Sequence, residues 1–163
     1  MCRFGSGIIR RGEQHLNKKD FVLDVMRRQG RAMAFDLQGR APSMAGTELV
    51  AEDSYLPEFQ AAKDVQNMLS RPVGFVCKSA AGRVVRLIQP YDSDVYMGEP
   101  EDLPAQWGFV WSTDPRKALP FIAMSTSPYM AGDCCTEKGA AYRSKIDNNT
   151  HSPSEYPRGW ECC

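Results

Sequence analysis

Six cysteines carry the most reactive side chains of the 163-residue chain. Four of them form two adjacent pairs, Cys134–Cys135 and Cys162–Cys163, and four thiolates would suffice to hold a structural zinc ion. Zinc sites in small domains usually space their ligands by two to four residues, whereas adjacent side chains in an extended chain point apart. A zinc site, a disulfide staple and free thiols all stay open, and the spacing favours free thiols. We therefore predict no metal and no cofactor.

The two histidines, His15 and His151, are the remaining candidates for nucleophilic chemistry. A Cys–His pair would need one imidazole brought against a thiol and oriented by a third group. No local signature of such a pair surrounds either histidine. The sequence therefore predicts a protein without catalytic residues, not an enzyme.

An acidic stretch, residues 91–103, contains five carboxylates: Asp92, Asp94, Glu99, Glu101 and Asp102. A calcium-binding EF-hand loop needs carboxylates at fixed offsets, a central glycine and a closing glutamate, and this stretch does not match it. We interpret it as a loop that faces solvent or a partner.

Charge is segregated along the chain although the net charge is zero. Residues 1–45 carry nine basic and four acidic side chains, and residues 46–70 carry one and five. Residues 71–90 carry four basic side chains and no acidic one, whereas residues 91–115 carry six acidic ones and no basic one. Alternating patches of this kind suit contact with several charged neighbours, or are simply solvated.

Two helices are expected in the first half of the chain. Asn17 is a good N-cap, and apolar residues at helical spacing predict a helix from Lys18 to about Gln29, closed by Gly30. A second helix is predicted from about Pro57 to Leu69. Residues 31–50 fit either a strand or a short helix.

The strongest β signals follow at residues 73–121. Two apolar runs flank Ser79–Gly82 and predict a hairpin over residues 73–88, with Gly82 at a positive φ. A third strand is predicted at residues 107–111. The fold class is therefore α+β, a small antiparallel sheet packed by two helices with an irregular C-terminal tail.

We divide the chain into an N-terminal arm (1–16), a single α+β domain (17–131) and a polar, aperiodic tail (132–163). The tail shows no clear period and could not fold alone, so we expect a partner to order it. No apolar run is long enough to span a membrane. The absence of a secretory signal predicts an intracellular protein with reduced cysteines, and the basic N-terminus is faintly similar to a mitochondrial presequence.

Residues 20–89 resemble a winged-helix DNA-binding domain, in which a β-hairpin wing follows the recognition helix. The resemblance implies that Lys78, Arg83 and Arg86 on the hairpin would meet phosphates. The candidate recognition helix carries Lys63 against Glu58 and Asp64, which is little positive charge for a duplex. A DNA-binding regulator is the alternative function.

Residues 82–160 resemble the small accessory subunit of respiratory complex I that contains the electron-transport-chain conserved region. The resemblance is carried, in order, by residues 82–90 (GRVVRLIQP), 107–115 (WGFVWSTDP), Phe121, Ser125–Thr126, Glu137–Lys138–Gly139 with Tyr142, Tyr156 and Trp160. It implies a non-catalytic subunit that binds no cofactor. The family's tryptophan-bearing middle strand has no counterpart here.

The leading prediction is therefore a non-catalytic accessory subunit that contacts other proteins of a larger assembly. Aromatic side chains dominate protein interfaces, so the predicted partner contacts are Trp107, Phe109, Trp111, Tyr129, Tyr156 and Trp160. Core packing is the competing interpretation for the first three.

Overall fold

A computed structural model describes residues 17–163 and confirms the α+β class. The predicted N-terminal arm lies outside the described residues. The helices are α1 (Lys18–Arg40), α2 (Gly46–Ala51) and α3 (Phe59–Val65). The strands are β1 (Val76–Lys78), β2 (Val84–Leu87), β3 (Trp107–Phe109), β4 (Cys134–Glu137), β5 (Ala140–Ser144) and β6 (Trp160–Cys162).

Helix α1 begins as predicted and ends at Arg40, eleven residues beyond the expected end at Gln29. The Asn17 carboxamide accepts a hydrogen bond from the Lys19 amide at 3.2 Å, which caps the first turn. The prediction that Gly30 ends the helix is wrong, because α1 continues to Arg40. A single glycine weakens a helix by only about 1 kcal/mol. Tertiary contacts beyond it decide the outcome, since Leu37 is fully buried.

A side-chain bridge fixes the C-terminal end of α1 to the first sheet. The Gln38 carboxamide donates to the Val76 carbonyl at 2.7 Å and accepts from the Val76 amide at 3.0 Å. This pairing gives the first residue of β1 the backbone partners that a neighbouring strand would supply. It positions the helix against the sheet edge.

Helix α3 is shorter than the predicted span of residues 57–69. It ends at Val65, since Gln66 adopts an extended conformation with φ −158° and ψ 129°. Asn67 then caps a separate 3-10 turn, Met68–Ser70, by accepting from the Leu69 amide at 2.9 Å. Asn67 thus redirects the chain, and the same side chain holds the acidic stretch described below.

The predicted hairpin and third strand form an antiparallel sheet in the order β1-β2-β3. Cys77 pairs with Val85, and Val85 pairs with Phe109. Gly82 has the predicted positive φ, 75°, and its amide donates to the Ser79 carbonyl at 2.9 Å. Each sheet face covers its own buried cluster, one around Trp107 and Phe59 and one around Leu37 and Leu49.

The C-terminal region, predicted as an irregular tail, contains a second antiparallel sheet in the order β4-β5-β6 together with turns. Its strands are short and mix apolar and polar residues, and their burial does not alternate from one residue to the next. Strand β4 is held in place by contacts with residues 112–121, the segment that follows β3. The Cys134 amide donates to the Ser112 carbonyl at 2.8 Å, and the Phe121 amide to the Thr136 carbonyl at 2.9 Å. That a partner orders this region, and the boundary at residue 131, stay predictions.

No helix described between residues 17 and 163 is both long enough and apolar enough to cross a membrane.

Candidate partner-binding surface

Four of the six aromatic residues predicted to contact partners lie inside the chain. Trp107, Phe109, Tyr129 and Trp160 are between 0% and 7% exposed. The Trp107 indole packs edge-to-face on Phe59 and donates to the Tyr91 hydroxyl at 3.1 Å, so its one polar atom is satisfied within the core. Core packing, the competing interpretation for Trp107 and Phe109, fits their burial, and Tyr129 and Trp160 are buried as well.

Stacked aromatic rings connect the two sheets. Trp111 stacks on Phe109 at 5.8 Å and on Tyr129 at 4.2 Å between ring centroids. Tyr129 in turn stacks on Phe121 at 5.4 Å and meets Trp160 edge-on at 5.4 Å. We call these five residues the aromatic ladder. Aromatic pairs of this kind contribute about 0.5–1.5 kcal/mol beyond their burial, so the ladder joins the two sheets into one structure.

Trp111 and Tyr156 are the two predicted partner contacts whose side chains are partly exposed to solvent. Trp111 is half-buried, and its indole donates to the Ser127 carbonyl at 2.9 Å. Tyr156 is 40% exposed and lies edge-on to His151. Their contact with a partner stays a prediction.

The three hairpin cations of the DNA-binding alternative are directed to partners within the chain. Lys78 forms an ion pair with Glu58 at 3.0 Å. Arg83 is 7% exposed, lies 3.6 Å from the Glu101 carboxylate and donates to the Pro120 carbonyl at 2.7 Å. Arg86 donates to the Ala41 carbonyl at 2.9 Å. These cations therefore do not form an exposed wing, and nothing in their placement favours DNA binding.

Five cysteines fall within the described residues 17–163: Cys77 lies in the first core, and the two adjacent pairs lie in or next to the second sheet. Cys77, Cys134 and Cys135 are buried, Cys162 and Cys163 are exposed, and none of these five forms a disulfide. Burial raises the pKa of the Cys135 thiol to about 12 and is the main cause that raises the pKa of Cys134 to about 11. Thiols with raised pKa values are poor nucleophiles at neutral pH.

Within residues 17–163, no three side chains of histidine, cysteine, aspartate or glutamate come together as a metal site. Cys134 donates weakly to the Thr113 carbonyl at 3.4 Å instead. His15, the other histidine, lies outside the described residues.

The acidic stretch is held in one conformation by its own side chains and by Asn67. The Asn67 carboxamide donates to Asp92 at 2.8 Å and to Asp94 at 3.1 Å. Ser93 is fully buried, and its hydroxyl accepts from the Met68 amide at 3.2 Å. The hydrogen bond from Asn67 is the largest cause that lowers the pKa of Asp92, so its carboxylate stays ionised at neutral pH. The loop is therefore ordered before any partner arrives.

Three consecutive apolar side chains project from this ordered loop. Val95 is 67% exposed, Tyr96 54% and Met97 74%. The Val95 and Tyr96 amides both donate to the Asp92 carbonyl, at 3.2 and 3.0 Å, which holds the turn that displays them. We call residues 92–102 the acidic loop and Val95, Tyr96 and Met97 its apolar tip. Sequence reasoning noted the acidic loop but missed the tip, whose signal is an apolar triplet between Asp94 and Glu99.

A second apolar surface lies between α1 and α3. A groove of about 410 Å³ is bordered by Phe35, which is 84% exposed, and Val65, which is 82% exposed. Arg71 lies at this groove and covers the Phe75 ring, with its guanidinium carbon 4.5 Å from the ring centroid. Exposed apolar side chains gathered in this way are typical of interaction surfaces.

The described chain is thus an α+β protein with ordered apolar groups at its surface. Comparison with protein-family models, with curated proteins and with solved structures gives no match for it.

Proposed function

We propose that this protein is a non-catalytic accessory or structural subunit of a larger assembly, and that the acidic loop is one of its contacts with a neighbouring protein. The observation that supports this most is the apolar tip, Val95, Tyr96 and Met97, displayed in the middle of an acidic surface. The tip supplies apolar contact area, and the surrounding carboxylates supply charge selectivity.

The order of the acidic loop strengthens the case. Ordering a flexible loop on binding reduces the binding free energy, by about 0.5–1.5 kcal/mol for each side chain that becomes immobilised. Here hydrogen bonds from Asn67 and the burial of Ser93 fix the backbone in advance. A partner with an apolar pocket rimmed by lysine or arginine would match the loop in both shape and charge.

The test is affinity capture from cells that express the chain, followed by identification of the proteins retained. Replacing Val95 and Met97 by serine removes most of the apolar tip and leaves the hydrogen bonds of the loop in place. Because each buried apolar side chain contributes about 1.5–3 kcal/mol, the double variant should retain at least about tenfold less of a true partner.

Val73→Ser is the matched control, since Val73 is 66% exposed and lies outside the loop. Capture that survives Val73→Ser and is lost in the double variant supports the proposal. A partner set unaffected by the double variant would contradict a role for the tip. Recovery of the chain alone, as a stable monodisperse protein, would contradict the subunit role.

The class of assembly remains a prediction, including a complex I-type subunit and a mitochondrial location. The proposal does not depend on either.

A further inference from the structure

Helix α1 displays an apolar stripe to solvent. Phe21 is 61% exposed, Val22 53%, Val25 44% and Met33 38%. Leu37, near the C-terminal end, is the buried residue of this 23-residue helix. An amphipathic helix normally buries its apolar face against another element, and within residues 17–163 these side chains remain exposed.

The stripe has the spacing of a coiled-coil seam. Exposed residues follow one another at intervals of four, three, four, three and four positions: Lys18, Val22, Val25, Gln29, Ala32 and Asp36. Phe21 and Met33 flank this seam. At about 100° per residue, all eight side chains fall within a face about 120° wide. Such a seam packs against a second helix with the same repeat.

The seam is symmetric about position 27, so it complements itself in the antiparallel direction. When a second copy of α1 lies antiparallel with residue i opposite residue 54 − i, the small Ala32 meets Val22. In the same register Met33 meets Phe21, and Gln29 meets Val25. Large side chains therefore face small or flexible ones, as close helix packing requires.

Charge selects the same register. Each end of the antiparallel pair places Lys18 of one copy against Asp36 of the other. A parallel pair would instead place Lys18 against Lys18 and Asp36 against Asp36. The Asp36 side chain is 65% exposed while it binds Arg40 at 2.7 Å, so it remains open to a lysine from another copy.

The surface around the seam has a matching hollow. A pocket of about 270 Å³ is lined by Gln29, Ala32, Met33, Asp36, Arg40 and Glu52. In the antiparallel register Phe21 of the second copy lies over it. The rest of the chain contacts α1 near its C-terminal end, through the hydrogen bond from Gln38 to Val76 and the ion pair between Arg40 and Glu52. In the dimer, the sheets of the two copies would therefore lie at opposite ends of the helix pair.

We infer that α1 is a self-association helix, and that two copies of this chain pair through it as a symmetric antiparallel dimer. The interface is isologous, since each contact occurs twice. This inference does not rest on the proposed function: the acidic loop and its apolar tip take no part in it.

The first test is the mass of the full chain in solution, measured by sedimentation across the micromolar range. We expect a concentration-dependent dimer. Val25→Glu, which puts a carboxylate at the centre of the seam, should give a monomer with unchanged helix content by circular dichroism. The Val95 and Met97 double variant should dimerise normally, which separates a failure of this inference from a failure of the proposed function.

The second test fixes the register by charge exchange. Lys18→Glu and Asp36→Lys should each weaken the dimer about tenfold, since two ion pairs become repulsive in each dimer. The Lys18→Glu/Asp36→Lys double variant should restore dimerisation, because the exchanged charges again pair antiparallel. A parallel pair gains nothing from the exchange.

Asp24→Lys is the matched control for Asp36→Lys. Both aspartates lie on α1 with side chains at least 42% exposed, and each binds an arginine four residues later, Asp24 to Arg28 at 2.6 Å and Asp36 to Arg40 at 2.7 Å. Asp24 lies off the seam, so its reversal should leave the dimer intact. A monomer at every concentration, an assembly other than a dimer, insensitivity to Val25→Glu, or no rescue by charge exchange would overturn the inference.

Discussion

At the scale of single residues, the cysteines separate into two reactivity classes. Cys134 and Cys135 are adjacent in sequence and buried with raised pKa values, whereas Cys162, at the end of the last strand, and Cys163, which follows it, are exposed. Exposure and thiolate fraction together govern alkylation. Burial of the first pair and exposure of the second pair therefore determine how readily each is alkylated.

We predict that iodoacetamide modifies Cys162 and Cys163 in the native protein long before Cys134 and Cys135. Peptide mass spectrometry after tryptic cleavage reads the two pairs separately. Denaturant should remove the difference, because it exposes the buried thiols. Equal rates in the native state would show that β4 is not buried as described.

Asp114 gives the clearest link between a carboxyl group and acid stability. Its side chain accepts from the Arg116 amide at 2.9 Å and from the Arg116 guanidinium at 3.0 and 2.8 Å. These bonds lower its pKa to about 2. Because the folded pKa lies below the ordinary value, the ionised group stabilises the fold above the ordinary pKa and loses this effect as pH falls toward 2.

Asp114→Asn should therefore lower the urea midpoint at pH 7, and its difference from the parent chain should shrink as the pH falls below 4. Arg116→Met should raise the pKa of Asp114 in a carboxyl NMR titration. A pH-independent difference between Asp114→Asn and the parent would mean that the lost stability does not come from ionisation.

At the scale of elements, two glycines have opposite roles. Gly82 ends the hairpin turn with φ 75°, whereas Gly30 lies within α1, and an added Cβ would meet nothing within 4 Å at either position. An added methyl group therefore has open space at both positions, and only the backbone conformation distinguishes them.

We expect Gly82→Ala to destabilise the protein by about 1 kcal/mol, since alanine rarely adopts a positive φ. Gly30→Ala should stabilise it by up to about 1 kcal/mol through helix propensity. Chemical unfolding of both variants measures the two changes. Equal effects of the same sign would contradict the assigned backbone conformations.

Sequence reasoning located the elements whose signals are local. The Asn17 cap, the hairpin with Gly82 and the strand at Trp107 all follow from nearby residues. The end of α1 depends on Leu37 and on the Gln38–Val76 bridge, which no local pattern reveals. The second sheet was missed for the same reason, because its short strands carry no local apolar pattern and depend on contacts with distant residues, such as Trp160 with Phe121 and Tyr129.

The same limit applied to the candidate surface. Aromatic residue type pointed to Trp107 and Trp160, which the fold buries, and the acidic loop was recognised without its apolar tip. The type of a residue indicates how strongly its side chain could contribute to an interface. Whether that side chain is exposed depends on the complete fold.

At the scale of the whole molecule, the aromatic ladder makes the two sheets interdependent. Trp160 is 4% exposed and packs against Tyr129 and Phe121 across the junction. A cavity left by a truncated aromatic side chain costs about 3–5 kcal/mol. Loss of this side chain should weaken the first sheet together with the second.

Trp160→Ala should therefore lower the thermal midpoint while unfolding remains one transition when followed by far-ultraviolet circular dichroism. Tyr156→Ala, which truncates an aromatic side chain that is 40% exposed, should have a much smaller effect. Two separate transitions in the parent chain would show that the sheets are independent units.

The three tryptophans are distributed so that each occupies a different part of this architecture. Trp107 is enclosed by the first core beside the Tyr91 hydroxyl, Trp160 is the first residue of β6 in the second sheet, and Trp111 stacks on Tyr129 between the two sheets. The chain thus carries its own fluorescent reporters. Versions that keep a single indole would time the assembly of each half during refolding without any added dye.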